Sequence, residues 1–341
     1  MIQFNCDYMV GAHPAILEKM TETNMEKTEG YGFDPYCDSA RAKIREVCGC
    51  PDAEVEFLMG GTQTNATVIK AMLRPYEGVI AASTGHVNCH EAGAIEMGGH
   101  KVLALPEQNG KITAEQIREC CWLYYKDASR DHMVMPGMVY ISHPTEYGTL
   151  YTLKEMEDIR RMCDEYHLSL FVDGARLGYA LGSAENEVTL KDLARIADVF
   201  YIGGTKCGAL FGEAVVVPDP ERIPHFFMIM KQQGAVLAKG RLLGIQFDTL
   251  FTGGLYEEIC GNGVRQAMKI KAALKEKNYR FYNDSPTNQQ FVIISDEQEK
   301  ELSEWLAVEM MDTYDENHII MRICTSWATS DEETEELIRR L

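Results

Sequence analysis

At 341 residues the chain is long enough for one large domain with a substantial core and a smaller one beside it. Its 45% hydrophobic and 25% charged content excludes a disordered polymer, and a formal net charge of −19 argues against nucleic acid or an anionic membrane surface as the main partner. Eleven cysteines, an odd number scattered along the chain, suit reduced thiols in a cytoplasmic setting, and no apolar run approaches the length that spans a bilayer.

An extended arm, Gln3 to Tyr8, precedes a short helix expected over 11–20. The stretch Glu29 to Pro35 is rich in helix breakers, and Asp38 is placed to cap a helix running through Val47 and closed by Gly49. Apolar, β-branched runs predict strands at 55–59, 78–82, 101–105, 138–142, 168–172, 199–202 and 214–217. Between them lie helices whose starts carry capping-box spacing: Thr113 with Gln116, Thr152 with Glu155, and Thr189 with Asp192. Alternation of this kind predicts an α/β fold, a mostly parallel sheet with helices on both faces. Beyond Lys239 the pattern predicts helices at 240–251 and 259–277, a strand at 290–295, a helix at 298–311, a strand at 319–324 and a last helix from Asp331. This reads as a small C-terminal α/β domain, giving an arm (1–20), a large domain (21–250) and a small domain (251–341). The close pairs Cys48/Cys50 and Cys120/Cys121 have no second pair at zinc-binding spacing, so no metal site is expected.

Five stretches carry candidate chemistry. Gly60-Gly61-Thr62-Gln63-Thr64-Asn65 lies where a strand turns into a helix, so free N–H groups and the helix dipole can hold a phosphate; a plain tight turn is the alternative. Gly85 to Ala94 places His86 where an imidazole can stack on a ring or act as a base, or simply cap a helix. Asp173 follows a buried strand and needs a cationic partner, which a pyridinium nitrogen or Arg176 would supply. Lys206, on the glycine-rich turn Gly203-Gly204-Thr205-Lys206, can form a Schiff base if its surroundings disfavour the ammonium form; taken alone it reads first as an ordinary turn lysine. Arg322, on an otherwise apolar strand, offers a fork for a carboxylate or an inter-domain ion pair.

In this order, the motifs GGTQTN (60–65), GHVNCHEAGA (85–94), HPTEYGTLY (143–151), FVDGARLGYAL (171–181), GGTKCGALFGEAVV (203–216) and RICTSWAT (322–329) resemble the low-specificity L-threonine aldolase and β-eliminating lyase family. The resemblance spans essentially the whole chain and implies the aspartate-aminotransferase fold of the pyridoxal-phosphate enzymes, fold type I. It implies pyridoxal 5'-phosphate on Lys206, Asp173 against the ring nitrogen, His86 stacked on the ring, and Gly61, Thr62 and Thr205 around the phosphate. Arg176 and Arg322 would hold the substrate carboxylate. His132 falls near a second active-site histidine of the family and, with His86, is a candidate base. Tyr31 and Asp34 match a loop that enters a neighbouring subunit's site, and Lys239 or Arg241 would reach towards its phosphate, in a homodimer or homotetramer.

The implied reaction is retro-aldol cleavage of L-threonine, L-allo-threonine or a related β-hydroxy-α-amino acid to glycine and an aldehyde. β-Elimination or transamination on the same scaffold is the alternative. Cys6 stands where the family commonly has a serine on the substrate side, Tyr8 is bulkier than usual, and Cys207 replaces a frequent asparagine. These departures bear on the substrate rather than the cofactor.

Overall fold

A computed structural model describes residues 1–341. The large sheet has seven strands: β1 (Glu54–Leu58), β2 (Glu77–Ala82), β3 (Val102–Leu105), β4 (Met135–Ser142), β5 (Ser169–Asp173), β6 (Val199–Gly203) and β7 (Glu213–Val217), in the order β1-β7-β6-β5-β4-β2-β3. Helical crossovers make β2 to β6 parallel, whereas the short loop 204–212 turns the chain straight back, so β7 runs antiparallel to β6 and to β1. The carboxyl ends of β1, β2, β4, β5 and β6 and the amino end of β7 therefore share one edge of the sheet.

Burial on both faces explains the continuous apolar runs. In β6, Val199 and Tyr201 face one hydrophobic cluster while Phe200 and Ile202 face the other. All three predicted capping boxes form, at Thr113, Thr152 and Thr189. The helix Pro35–Cys48 starts earlier than expected: Asp34, not Asp38, is its cap, accepting the N–H groups of Tyr36 and Cys37 with Pro35 at the first helical position.

The four-stranded antiparallel sheet has β8 (Arg280–Phe281), β9 (Gln289–Ser295), β10 (Glu309–Asp315) and β11 (His318–Cys324), ordered β10-β11-β9-β8. The helix expected over 298–311 is shorter and earlier, Asp296–Ser303, because Ser295 and Gln298 form its capping box. Residues Leu306–Ala307 instead pair in parallel with Ile2–Gln3, and Glu309–Asp315 form an edge strand of this sheet. Good helix formers lose there to cross-strand pairing. Phe4 joins the cluster formed by Ile270, Val292, Met321 and Leu337. No helix is long and apolar enough to cross a membrane, and all eleven cysteines are free thiols.

The ends of β5 and β6 approach closely because both carry glycine. The Gly203 N–H donates to the Gly174 carbonyl at 3.0 Å, and a Cβ on Gly174 would overlap the backbone oxygen of Tyr201. Nothing there can yield. Gly174→Ala is expected to destabilise the protein by about 3 kcal/mol or more, read as a fall in the midpoint of denaturant unfolding; an unchanged midpoint would refute this packing.

Candidate active site

The shared sheet edge holds a cleft of about 390 Å³ lined by residues from every strand end named above, among them Gly61, Thr62, His86, Asp173, Arg176, Thr205 and Lys206. The helix Gly61–Met72 opens on Gly60 with no side-chain cap, so its first N–H groups keep their donors for another partner. Near that start, the buried Tyr201 hydroxyl has no hydrogen-bond partner, and it lies 3.2 Å from where a Cβ on Gly61 would sit.

Asp173 ends β5 and is 4% exposed. Its Oδ1 accepts the Ala175 N–H at 2.9 Å; its Oδ2 accepts the Asn65 amide at 3.2 Å and the Tyr140 hydroxyl. Burial pushes its carboxyl up, but the nearby His86, the Tyr140 hydroxyl and the Ala175 N–H more than offset that and hold it below the usual aspartate range. It is an ionised buried carboxylate with no direct cationic partner. The alternative pairing with Arg176 does not occur: Arg176 donates from Nε and Nη2 to Asp7 at 2.7 and 3.0 Å.

Asn65 also donates to Glu91 at 2.7 Å, and Glu91 Oε1 meets His86 Nδ1 at 2.7 Å. The backbone N–H of His86 donates to Glu146 Oε1 at 2.9 Å, which also accepts from the Ser142 hydroxyl at 2.7 Å. One polar chain thus fixes the imidazole and links it to Asp173. His90, also lining the cleft, has its ring 5.7 Å from that of His86. Partial burial, then the neighbouring His86, lower its pKa, so it is neutral at pH 7.

Lys206 sits on the loop 204–212 with its amine 6.0 Å from the centre of the Tyr8 ring. Burial, and then the Arg176 charge, lower its pKa against the opposing pull of Asp7, Asp173 and Glu213. A lowered pKa is what makes an amine a nucleophile near neutral pH. An uncapped helix start, an unpartnered hydroxyl, an activated lysine and a carboxylate lacking a cation fit an aromatic aldehyde that carries a phosphate and a protonated ring nitrogen.

A family model described as β-eliminating lyase matches residues 3–298. The chain belongs to the β-eliminating lyase family. The low specificity L-threonine aldolase of Pseudomonas sp. (strain NCIMB 10558) is 33% identical over 259 residues, covering 74% of this chain and 72% of that one. The solved structure of Leishmania major threonine aldolase aligns with a TM-score of 0.96 at 42% identity, over 100% of this chain and 99% of that one. Thermus thermophilus aspartate aminotransferase, at 16% identity and a TM-score of 0.72 over 100% of this chain and 90% of that one, shares the fold.

In this lyase several residues named from sequence stand outside the chain's own cleft. His132 ends an exposed 3-10 turn, Arg130–His132. Arg241 donates to the carbonyls of Thr23 and Glu26 at the end of the first helix. Lys239 and Tyr31 are exposed, Tyr31 with φ 61° and its ring 3.9 Å from the Lys231 amine. Asp34 is spent as a helix cap. Arg322 is buried in the small sheet, donating to the Asn5 carbonyl at 3.0 Å, to Gln289 at 3.1 Å and to Glu309, with its Nε unpartnered. Cys6 lies on the arm, partly buried beside Tyr8. Sequence reasoning gave no role to Asn65, Glu91, Glu146 or Glu213, although each falls inside a motif it quoted.

Proposed function

We propose that this lyase binds pyridoxal 5'-phosphate and cleaves L-threonine, L-allo-threonine or a close β-hydroxy-α-amino acid to glycine and an aldehyde. The observation that carries the reading is the meeting of Lys206, Asp173 and the uncapped start of the helix Gly61–Met72 in one cleft. The names of the relatives, threonine aldolases throughout the closer matches, support the substrate class.

Bound there, pyridoxal phosphate supplies an electron sink for the pair released when the Cα–Cβ bond breaks. Lys206 holds the cofactor's aldehyde carbon, and Gly61, Thr62 and Thr205 hold its phosphate. Asp173 stays ionised and keeps the ring nitrogen protonated. Arg176, which lines the cleft, and Arg322, in the small sheet near the cleft's His90 and with a free Nε, would hold the substrate carboxylate and so orient the bond to be broken. The β-hydroxyl proton passes to a cleft histidine, His86 with its Nδ1 engaged by Glu91, or His90 beside it. The division into arm, large and small domains belongs to this reading and is supported by the separate small-sheet core.

Tyr31, Lys239 and the neighbouring Lys231 lie on the surface outside the cleft. That placement supports a homodimer in which they serve a second copy's phosphate end. The deciding assay is product analysis. L-Threonine is expected to yield glycine and acetaldehyde in equal amounts; 2-oxobutyrate and ammonia in their place would overturn the aldolase reading in favour of elimination.

A further inference from the structure

Glu213 opens β7 at the cleft edge, 3% exposed, and the mechanism above gives it nothing to do. Its Oε2 accepts the Gly204 N–H at 2.9 Å, and its Oε1 accepts the Thr205 hydroxyl at 2.8 Å. Thr205 Oγ1 in turn accepts the Gly212 N–H at 3.0 Å. A threonine hydroxyl has one hydrogen. With that hydrogen directed at Glu213, Thr205 has none to offer a phosphate, although both residues line the same cleft as Gly61 and Thr62.

Four titratable groups lie near Glu213: Lys206, Asp173, and the phenols of Tyr201 and Tyr256. Burial pushes its carboxyl up to about 8, against the bonds from Thr205 and Gly204 and the charge of Lys206. A protonated carboxyl brings its own hydrogen, and Thr205 Oγ1 is the acceptor already within reach.

We propose that Glu213 is a positioning residue for phosphate binding: neutral, it donates to Thr205 Oγ1 and frees that hydroxyl's hydrogen for a phosphate in the cleft; ionised, it takes the hydrogen back and sets a negative charge beside the anion. Thr205 Oγ1 then accepts from Glu213 and from the Gly212 N–H and donates once, so every lone pair and hydrogen is used. The inference rests on the cofactor reading above. Its sign follows directly: phosphate selects the neutral carboxyl, so affinity is full below the Glu213 pKa and falls above it. One linked proton gives a loss of about tenfold per pH unit in that range.

The test uses the full chain stripped of cofactor, titrated between neutral pH and about pH 9 with pyridoxal phosphate, with pyridoxal, and with inorganic phosphate read as a shift in melting temperature. Wild type is expected to lose about tenfold in affinity for pyridoxal phosphate, a loss that pyridoxal does not share. Glu213→Gln, whose amide N–H donates to Thr205 while its carbonyl accepts from Gly204, removes that loss. Thr205→Ser keeps the wild-type profile and Thr205→Val binds weakly throughout. The same profile in wild type and Glu213→Gln overturns the proposal. If pyridoxal phosphate forms no borohydride-reducible adduct in any variant, the cofactor reading fails instead, and the inorganic-phosphate profiles decide the role of Glu213 by themselves.

Discussion

Replacing Lys206 with alanine is expected to lower kcat for threonine cleavage by on the order of 10⁴ or more, with no loss of folding. The amine makes no hydrogen bond to the protein, and burial together with the Arg176 charge lowers its pKa. A lysine whose folded pKa lies below its unfolded value costs stability at neutral pH, where the unfolded chain binds the proton more readily. Truncation removes that cost, so the melting temperature of Lys206→Ala at pH 7 is expected to match or exceed that of wild type. Borohydride treatment after incubation with pyridoxal phosphate should label the wild type and leave the variant unlabelled. A labelled alanine variant would place the reactive amine elsewhere.

Asp173→Asn should cost roughly 10³-fold in kcat while leaving the cofactor's lysine attachment intact. The substitution preserves shape, removes the charge that a protonated ring nitrogen would need, and turns the oxygen facing Asn65 and Tyr140 into a donor. Burial disfavours the Asp173 carboxylate, but the donors around it win, so it remains ionised down to acid pH. The sign is that of a depressed carboxyl: its contribution is present above the ordinary aspartate range and is lost only as pH falls through the still lower folded value. Any fall in wild-type rate near neutral pH must come from another group. Stopped-flow rates for wild type and Asp173→Asn across the neutral range test both statements, and an asparagine variant within tenfold of wild type would remove Asp173 from the chemistry.

The placing of Lys206 and Asp173 at the sheet edge was legible in the sequence because each follows an apolar strand and sits on a glycine-containing turn, whereas a chemical role for them came only from the order of the motifs around them. Gly174 and Gly203 are the physical trace of two strand ends brought together. The capping boxes at Thr113, Thr152 and Thr189 were legible for the same local reason. The bridge through Asn65 was not. It joins Glu91 and Asp173 across 26 and 108 positions, and only the sheet order brings those positions together. Glu213 was hidden in another way: in the run Gly-Glu-Ala-Val-Val it looks like the polar start of a strand, and the antiparallel return of β7 delivers it to the cleft. The segment 298–311 misled because Glu, Leu and Met favour helix, whereas its fate depended on Ile2–Gln3 pairing with Leu306–Ala307.

That pairing bears on how the site is made during synthesis. Asp7 is held by Arg176 and by Asn288 at 2.9 Å; Phe4 is held by Ala307 and Cys324; and the Asn5 carbonyl accepts from Arg322, 317 positions away. Residues 2–8 leave the ribosome long before most of these partners exist. The large sheet, whose last strand closes at Val217, can form while translation continues. The seat of the arm on the small sheet must wait until Cys324 has emerged. A nascent chain would thus hold Lys206 and Asp173 in place before the arm carrying Asp7 and Tyr8 is seated, and the cleft is completed on its arm side in one late step.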